Sequence, residues 1–149
     1  MSQIEFVLAN ESDIPALLQI EASASGQFYS AYTENELRQF LSAGGKFFLI
    51  KRGGCVLGST SVEADTGQSI EFGSLVLLPE FRVRGLGARV FRSGLRYFES
   101  RGYTHIHALV HPDNRPMLRI YVAFGFTTKR RIEDAFGDGE PRLELVLQL

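Results

Sequence analysis

Cysteine is nearly absent: Cys55 is the only one in 149 residues. A disulfide within the chain is excluded, and a zinc site would have a single thiolate to draw on. A reducing compartment is therefore expected. Charge of either sign is not in surplus, since sixteen Lys and Arg face seventeen Asp and Glu. Domains that coat nucleic acid carry a basic excess, so no nucleic-acid partner is expected. Lys129-Arg130-Arg131 is a short basic run that a solvated strand accommodates. Long hydrophobic runs are missing too. The longest, Ile120 to Phe124, has five residues, against the roughly 18 that span a bilayer. The N-terminus lacks a basic stretch followed by an apolar one, so no secretory leader is read there. A cytoplasmic protein without a membrane partner is expected. No linker, repeat or charge block divides the chain, and residues 1–149 read as one domain. Apolar residues at 44% and charged residues at 22% exclude disorder as the general state.

What is present has a clear order. Ile4 to Leu8 is β-prone and ends at Asn10-Glu11-Ser12-Asp13, a capping sequence with Pro15 suited to a first helical turn. Ile14, Leu17, Leu18 and Ala22 come next at helical spacing. After a broken stretch from Ser23 to Ser30, Thr33-Glu34-Asn35-Glu36 forms a capping box before Leu37, Phe40 and Leu41. Three strands are expected at Phe47 to Lys51, Val56 to Ala64 and Ile70 to Leu78, punctuated by Gly53-Gly54 and Asp65-Thr66-Gly67. Leu86, Val90, Phe91, Leu95 and Phe98 share one helical face, which Arg101-Gly102 closes. A strand from Thr104 to His111, a helix opened by Asn114 and stopped by Gly125, and strands at Phe126 to Ile132 and Leu143 to Leu149 complete the chain. Strand-rich and helix-rich stretches are mixed, which favours an α+β fold. The expected architecture is a mixed, mostly antiparallel central sheet of six to seven strands flanked by about four helices. Its parallel pair should be the one joined by the long helix from Leu86, through a right-handed crossover.

The most informative segment runs from Leu75-Val76-Leu77-Leu78-Pro79 through Arg82-Val83-Arg84-Gly85-Leu86-Gly87-Ala88. An apolar strand enters a short turn, and two spaced glycines open a helix. A helix N-terminus offers unpaired N–H groups and partial positive charge. Glycines there let a ligand come close to the backbone, and Arg82 and Arg84 add charge. These parts suit a phosphate or pyrophosphate. The dinucleotide fingerprint fails at Val90, where its third glycine would stand, and no P-loop Gly-Lys-Ser/Thr is present.

Downstream, a strand ends at His111-Pro112-Asp113-Asn114, and the next helix holds Tyr121 before Gly125-Phe126. Taken together, these segments resemble the GNAT superfamily of N-acetyltransferases. Arg82 to Gly87 matches its Arg/Gln-x-x-Gly-x-Gly/Ala acetyl-CoA signature, and Asn114, Tyr121 and Gly125-Phe126 match its asparagine, tyrosine and Gly-Phe. The resemblance implies transfer of an acetyl group from acetyl-CoA to a primary amine, by direct attack in a ternary complex. It implies that the amides of Val83 to Ala88 hold the diphosphate. Leu75, Val76 and Leu77 then line the pantetheine arm, with one strand amide polarising the thioester carbonyl, and Asn114 bonds the pantetheine region. Tyr121 inherits the role of proton donor to the departing thiolate, a phenol of pKa about 10. No metal is implied.

The base stays open. Glu71 stands eleven residues before Arg82, a spacing similar to that of the glutamate base in the histone-acetylating branch. The ribosomal-protein N-terminal acetyltransferases use a glutamate five residues before the asparagine, but Leu109 stands there. Imidazole as a side-chain type suits a base near neutral pH, so His107 or His111, on the same strand face, competes with Glu71 and with water. The resemblance places the acceptor among Phe28, Tyr29 and Tyr32 and near the last hairpin, whose Glu133, Asp134, Asp138 and Glu140 can attract a cationic amine. A peptide amine is the acceptor expected first. Small amines such as polyamines, amino acids or aminoglycosides are the alternative, and a non-catalytic acyl-CoA sensor is the rival class. The family often dimerises, so a homodimer is among the expected states. Cys55, beside Gly53-Gly54 and with no histidine nearby in sequence, reads as a small, partly buried residue and not as an acyl carrier.

Overall fold

A computed structural model describes residues 3–26 and 28–149. Seven strands form one sheet: β1 (Ile4–Leu8), β2 (Lys46–Arg52), β3 (Cys55–Asp65), β4 (Ser69–Leu77), β5 (His105–Val110), β6 (Thr127–Ile132) and β7 (Arg142–Gln148). Their order across the sheet is β1-β2-β3-β4-β5-β7-β6. Four helices pack on it: α1 (Ile14–Ala22), α2 (Glu34–Ser42), α3 (Leu86–Ser100) and α4 (Arg115–Ala123). Every pairing is antiparallel except β4 with β5, the pair joined by α3. The mixed α+β sheet is the one the element order implies.

Alternation places the core in two layers. In β2, Phe47, Phe48, Leu49 and Ile50 are all buried, because successive side chains go to opposite faces. Phe47 and Leu49 join Ile14, Leu17, Ile20 and Leu37 under α1 and α2. Phe48 joins Phe91 and Phe98 of α3, with Tyr121 of α4, on the other face. Full burial of a side chain such as Leu17 contributes about 1.5–3 kcal/mol. The helix ends obey their capping residues. Thr33 and Glu36 exchange both bonds of a capping box at α2, and Asn10 does the same with Asp13 at the 3-10 turn before α1. Among the described residues, no helix is long and apolar enough to cross a membrane.

Two features of β4 open the sheet and turn side chains toward the opening. It pairs with β5 only over Ser69–Phe72 against His105–Ala108. Beyond Phe72 the two strands diverge. On its other side, β3 and β4 lose register between Ser61 and Ala64: Ser61 faces Ser74, Val62 faces Phe72 and Ala64 faces Glu71. Glu63 is thus the surplus residue of a bulge in β3 and Gly73 the surplus residue opposite. Bulges re-aim side chains, and that is their consequence here.

Candidate active site

Where β4 leaves β5, a cavity of about 890 Å³ opens between Phe72–Leu75 and Leu109–Asn114. The chain between α1 and α2 walls it with Phe28, Tyr29 and Tyr32, and the β6–β7 loop reaches it from the far side. Of the residues singled out from sequence, Phe28, Tyr29, Tyr32, Glu71, Leu75, Asn114 and Tyr121 all face this one space. Val76 and Leu77 do not. Val76 is buried among the α1–α2 residues, and Leu77 packs toward α3.

At the C-terminal end of β4 the chain makes the 3-10 turn Pro79–Phe81 and enters α3 through Gly85. Gly85 has φ +84°, the left-handed region that favours glycine. The amides of Val83, Arg84, Gly85, Gly87 and Ala88 have no acceptor among the described residues, whereas Leu86 N–H bonds Val83 O at 3.2 Å. The two glycines of α3 differ in an instructive way. Gly94 is tightly packed, because a Cβ there would sit 3.1 Å from the Phe6 ring and the ring would have to shift. Gly87 has an ordinary φ, and a Cβ would meet only Leu77 Cδ1 at 4.0 Å. Glycine inside a helix costs about 1 kcal/mol relative to alanine, and nothing in the fold requires it at this position. What the missing side chain does is leave the adjacent amides open to solvent.

The two arginines of the turn part company. Arg82 Nε donates to Leu77 O at 2.8 Å, and its Nη2 donates to Ser23 O at 3.1 Å and Ser23 Oγ at 3.3 Å. It fastens the end of β4 to the end of α1, so much of its donor capacity is spent within the protein. Arg84 is exposed and makes no ion pair among the described residues. Asn114 stands at the N-cap of α4, yet its side chain makes no capping bond and faces the cavity.

Tyr121 is only 5% exposed and its hydroxyl makes no hydrogen bond among the described residues, though it lines the cavity. Phe91 and Phe126 hold its ring edge-on at 5.4 and 4.8 Å. Burial pushes its phenol above the ordinary value, so it stays protonated at neutral pH. Glu71 is half-buried. Desolvation and then the Glu144 charge push its carboxyl up, while His107 across the strand pair opposes them. His107 lies outside the cavity lining, with Nδ1 3.5 Å from Glu144 Oε2. His111 does line it, but both ring nitrogens have neighbours: Nδ1 accepts from Asp113 N at 3.0 Å and Nε2 lies 3.4 Å from Glu140 Oε2. The acidic hairpin is largely compensated: Glu133 pairs with Arg131, Asp138 with Arg142 at 2.8 Å, and Asp134 accepts from Gly139 N–H. Cys55 is exposed at the start of β3, not partly buried as expected for a small residue beside Gly53-Gly54.

Two carboxylates escaped the sequence reading. Glu21 is fully buried, and the Tyr29 hydroxyl donates to its two oxygens at 2.7 and 2.6 Å. Desolvation raises its pKa, and the Tyr29 bond opposes that. Its signal was available, because Glu21 occupies the i+7 position of the Ile14–Leu17 apolar stripe. Glu63 accepts from the Tyr32 hydroxyl at 3.2 Å and lines the cavity. Its carboxyl too is pushed up, first by desolvation. Its position depends on the bulge, which no alternation pattern announces.

Residues 14–126 match the Acetyltransferase (GNAT) family. A mycothiol acetyltransferase of Nocardioides sp. is 33% identical over 67 residues, 43% of this chain and 23% of that protein's length. The chain thus spans about a quarter of that curated relative. Among solved structures, the ribosomal-protein-S18-alanine N-acetyltransferase of Escherichia coli superposes with a TM-score of 0.79 at 16% identity, over 99% of this chain and 94% of that one. A variant of the spermidine N-acetyltransferase SpeG of Vibrio cholerae gives 0.76 at 17% identity, over 98% and 94%. The yncA protein of Salmonella typhimurium with its cofactor acetyl-CoA gives 0.70 at 19% identity, over 100% and 94%.

Proposed function

The chain belongs to the GNAT acetyltransferase family, and from that premise we propose that it moves an acetyl group from acetyl-CoA to a primary amine in a ternary complex. The observation that carries this reading is the set of amides of Val83, Arg84, Gly85, Gly87 and Ala88 without a partner among the described residues, at the end of a strand that has parted from its neighbour. Such amides with a helix dipole behind them favour a diphosphate. Gly87, which nothing in the fold requires, keeps them accessible. Arg84 adds charge. The free edge of β4 from Gly73 onward offers main-chain groups to an extended arm, with Leu75 beside it, and Asn114 supplies an uncommitted amide side chain from across the gap.

The residues present suit the transfer chemistry. An amine must lose a proton to attack, and Glu71, held toward neutrality by burial, is the carboxylate assigned to take it. A β4 amide polarises the thioester carbonyl. The carbon–sulfur bond then breaks, and Tyr121, protonated and without another partner, returns a proton to the thiolate. His111 is assigned a positioning role, joining the Phe28 ring at 5.2 Å to Glu140. The aromatic wall of Phe28, Tyr29 and Tyr32 supports a peptide amine as the first acceptor class to try, with small amines the second.

The test is acceptor-dependent release of free thiol from acetyl-CoA across a panel of peptides and small amines. Thiol release that requires the amine and yields an N-acetyl product is the expected result. Acetyl-CoA binding with no product from any amine would instead leave a donor-binding module.

A further inference from the structure

Glu63 has a place in the cavity that the transfer chemistry leaves unused. As the surplus residue of the β3 bulge it turns onto the β4 backbone. There it fills the space of a side chain that Gly73 lacks: a Cβ on Gly73 would collide with Glu63 Oε1 and with Ser61 Oγ. Gly73 is also the first residue of β4 beyond its pairing with β5. The carboxylate is therefore delivered to the point where the strands part, and the Tyr32 hydroxyl fixes it there at 3.2 Å.

Its charge is uncompensated. On the far wall Asp138 is paired with Arg142 and Glu140 lies against His111. At the α2 end Glu36 is occupied by the Thr33 amide at 3.1 Å. Glu63 and Glu71, which repel one another, have no Lys, Arg or His within ion-pair distance among the described residues. Arg142, the one Lys or Arg among the described residues lining the cavity, is held by Asp138 and by the Phe136 ring at 4.8 Å. Independently of these carboxylates, the nine-tenths buried Tyr121 presents a hydroxyl with no partner among the described residues to the same space. A hydroxyl whose lone pairs can accept from an ammonium on one side, and two carboxylates without a cationic partner on the other, describe a space shaped for a cation. An acceptor bearing its own carboxylate would meet repulsion there, with the lining arginine already engaged.

We propose that Glu63 is the acceptor-binding carboxylate of this site, receiving the ammonium group of an acceptor that carries no carboxylate close to that amine. This rests on the acetyl-transfer reading and narrows its substrate class. Glu63 holds the ammonium and keeps its charge. One N–H bond of the ammonium breaks as an O–H bond forms on Glu71, leaving a neutral amine to attack. Free amino acids are disfavoured, whereas peptide N-termini and carboxylate-free amines are retained.

The probes are γ-aminobutyramide and γ-aminobutyrate, alike in size and differing by one negative charge. With acetyl-CoA, kcat/KM for the amide should exceed that for the acid by about tenfold. Glu63→Gln should raise KM for the amide by about tenfold and leave kcat within about threefold, so that the preference shrinks. Glu63→Asp should restore part of it. Calorimetric titration of the amide into CoA-saturated protein reads the same contact without turnover. Equal use of the two probes, an unchanged KM in a folded Glu63→Gln protein, or no binding of the amide to the parent protein each overturns the assignment. Binding that depends on Glu63 without thiol release sinks the transfer reading and keeps this one. Thiol release indifferent to Glu63 does the reverse.

Discussion

Past the C-terminal end of β4 five main-chain amides wait at a helix N-terminus, and at the other end of the site three carboxylates, Glu63 and Glu71 lining the cavity and Glu21 buried behind Tyr29, are held by tyrosines or by nothing. The first end is made of backbone, so its only demands on sequence are glycines and a turn. The second is made of side chains from α1, β3 and β4, and its demands are scattered over some fifty positions. The lesson is that a backbone site can be built from consecutive residues by geometry alone, whereas a charged side-chain site must be assembled from distant parts of the chain.

The sharpest way to break this contrast is Gly87→Glu. The substitution inserts a good helix former and places an acid at a helix N-terminus, so the melting temperature should hold or rise. Acetyl-CoA affinity should fall about 100-fold, because a side chain and a like charge then occupy the approach to the amides. Calorimetry alongside a thermal melt reads both. Unchanged affinity would mean the amides are not the diphosphate site.

Next in size is Tyr121→Phe. It removes one hydroxyl that has no partner among the described residues, and the ring contacts with Phe91 and Phe126 remain. Turnover should drop about 10- to 1000-fold with donor affinity kept. Unaltered kcat would take Tyr121 out of the chemistry.

The smallest effect, and the one that probes the carboxylate end, is Glu71→Gln. The folded-state pKa of Glu71 is raised above that of an ordinary glutamate. The basic form therefore accumulates only as pH climbs through that raised value. In the parent protein kcat/KM should climb with pH along an acid limb lying above the usual carboxylate range. In Glu71→Gln that limb should vanish and the neutral-pH rate should fall. A profile with the limb intact would pass the role to His107, His111 or water.

Element boundaries were legible to within about a residue because caps, glycines and apolar spacing all act locally. β5, for instance, runs from His105 to Val110 inside the Thr104–His111 stretch that its alternation marks. The amide cradle was legible for the same reason: strand, turn, glycine and helix are consecutive. The carboxylate end was not. Glu63 reaches its place only because two strands slip register opposite one another, a pairing between positions ten residues apart. Arg82 shows the complementary limit. Its spacing before Gly85 points to a phosphate, and the structure adds bonds from its guanidinium to Leu77 and Ser23, a partnership across the fold that no local pattern contains.

That same arginine makes the two ends mechanically one. The segment that begins at Ser23 becomes the aromatic wall, and the strand that finishes at Leu77 becomes the turn under the helix. A single forked head group rivets them together. Lengthening or shortening the turn by a residue would tug on the wall several elements away, so loop grafts here should carry Ser23 and Arg82 across as a unit.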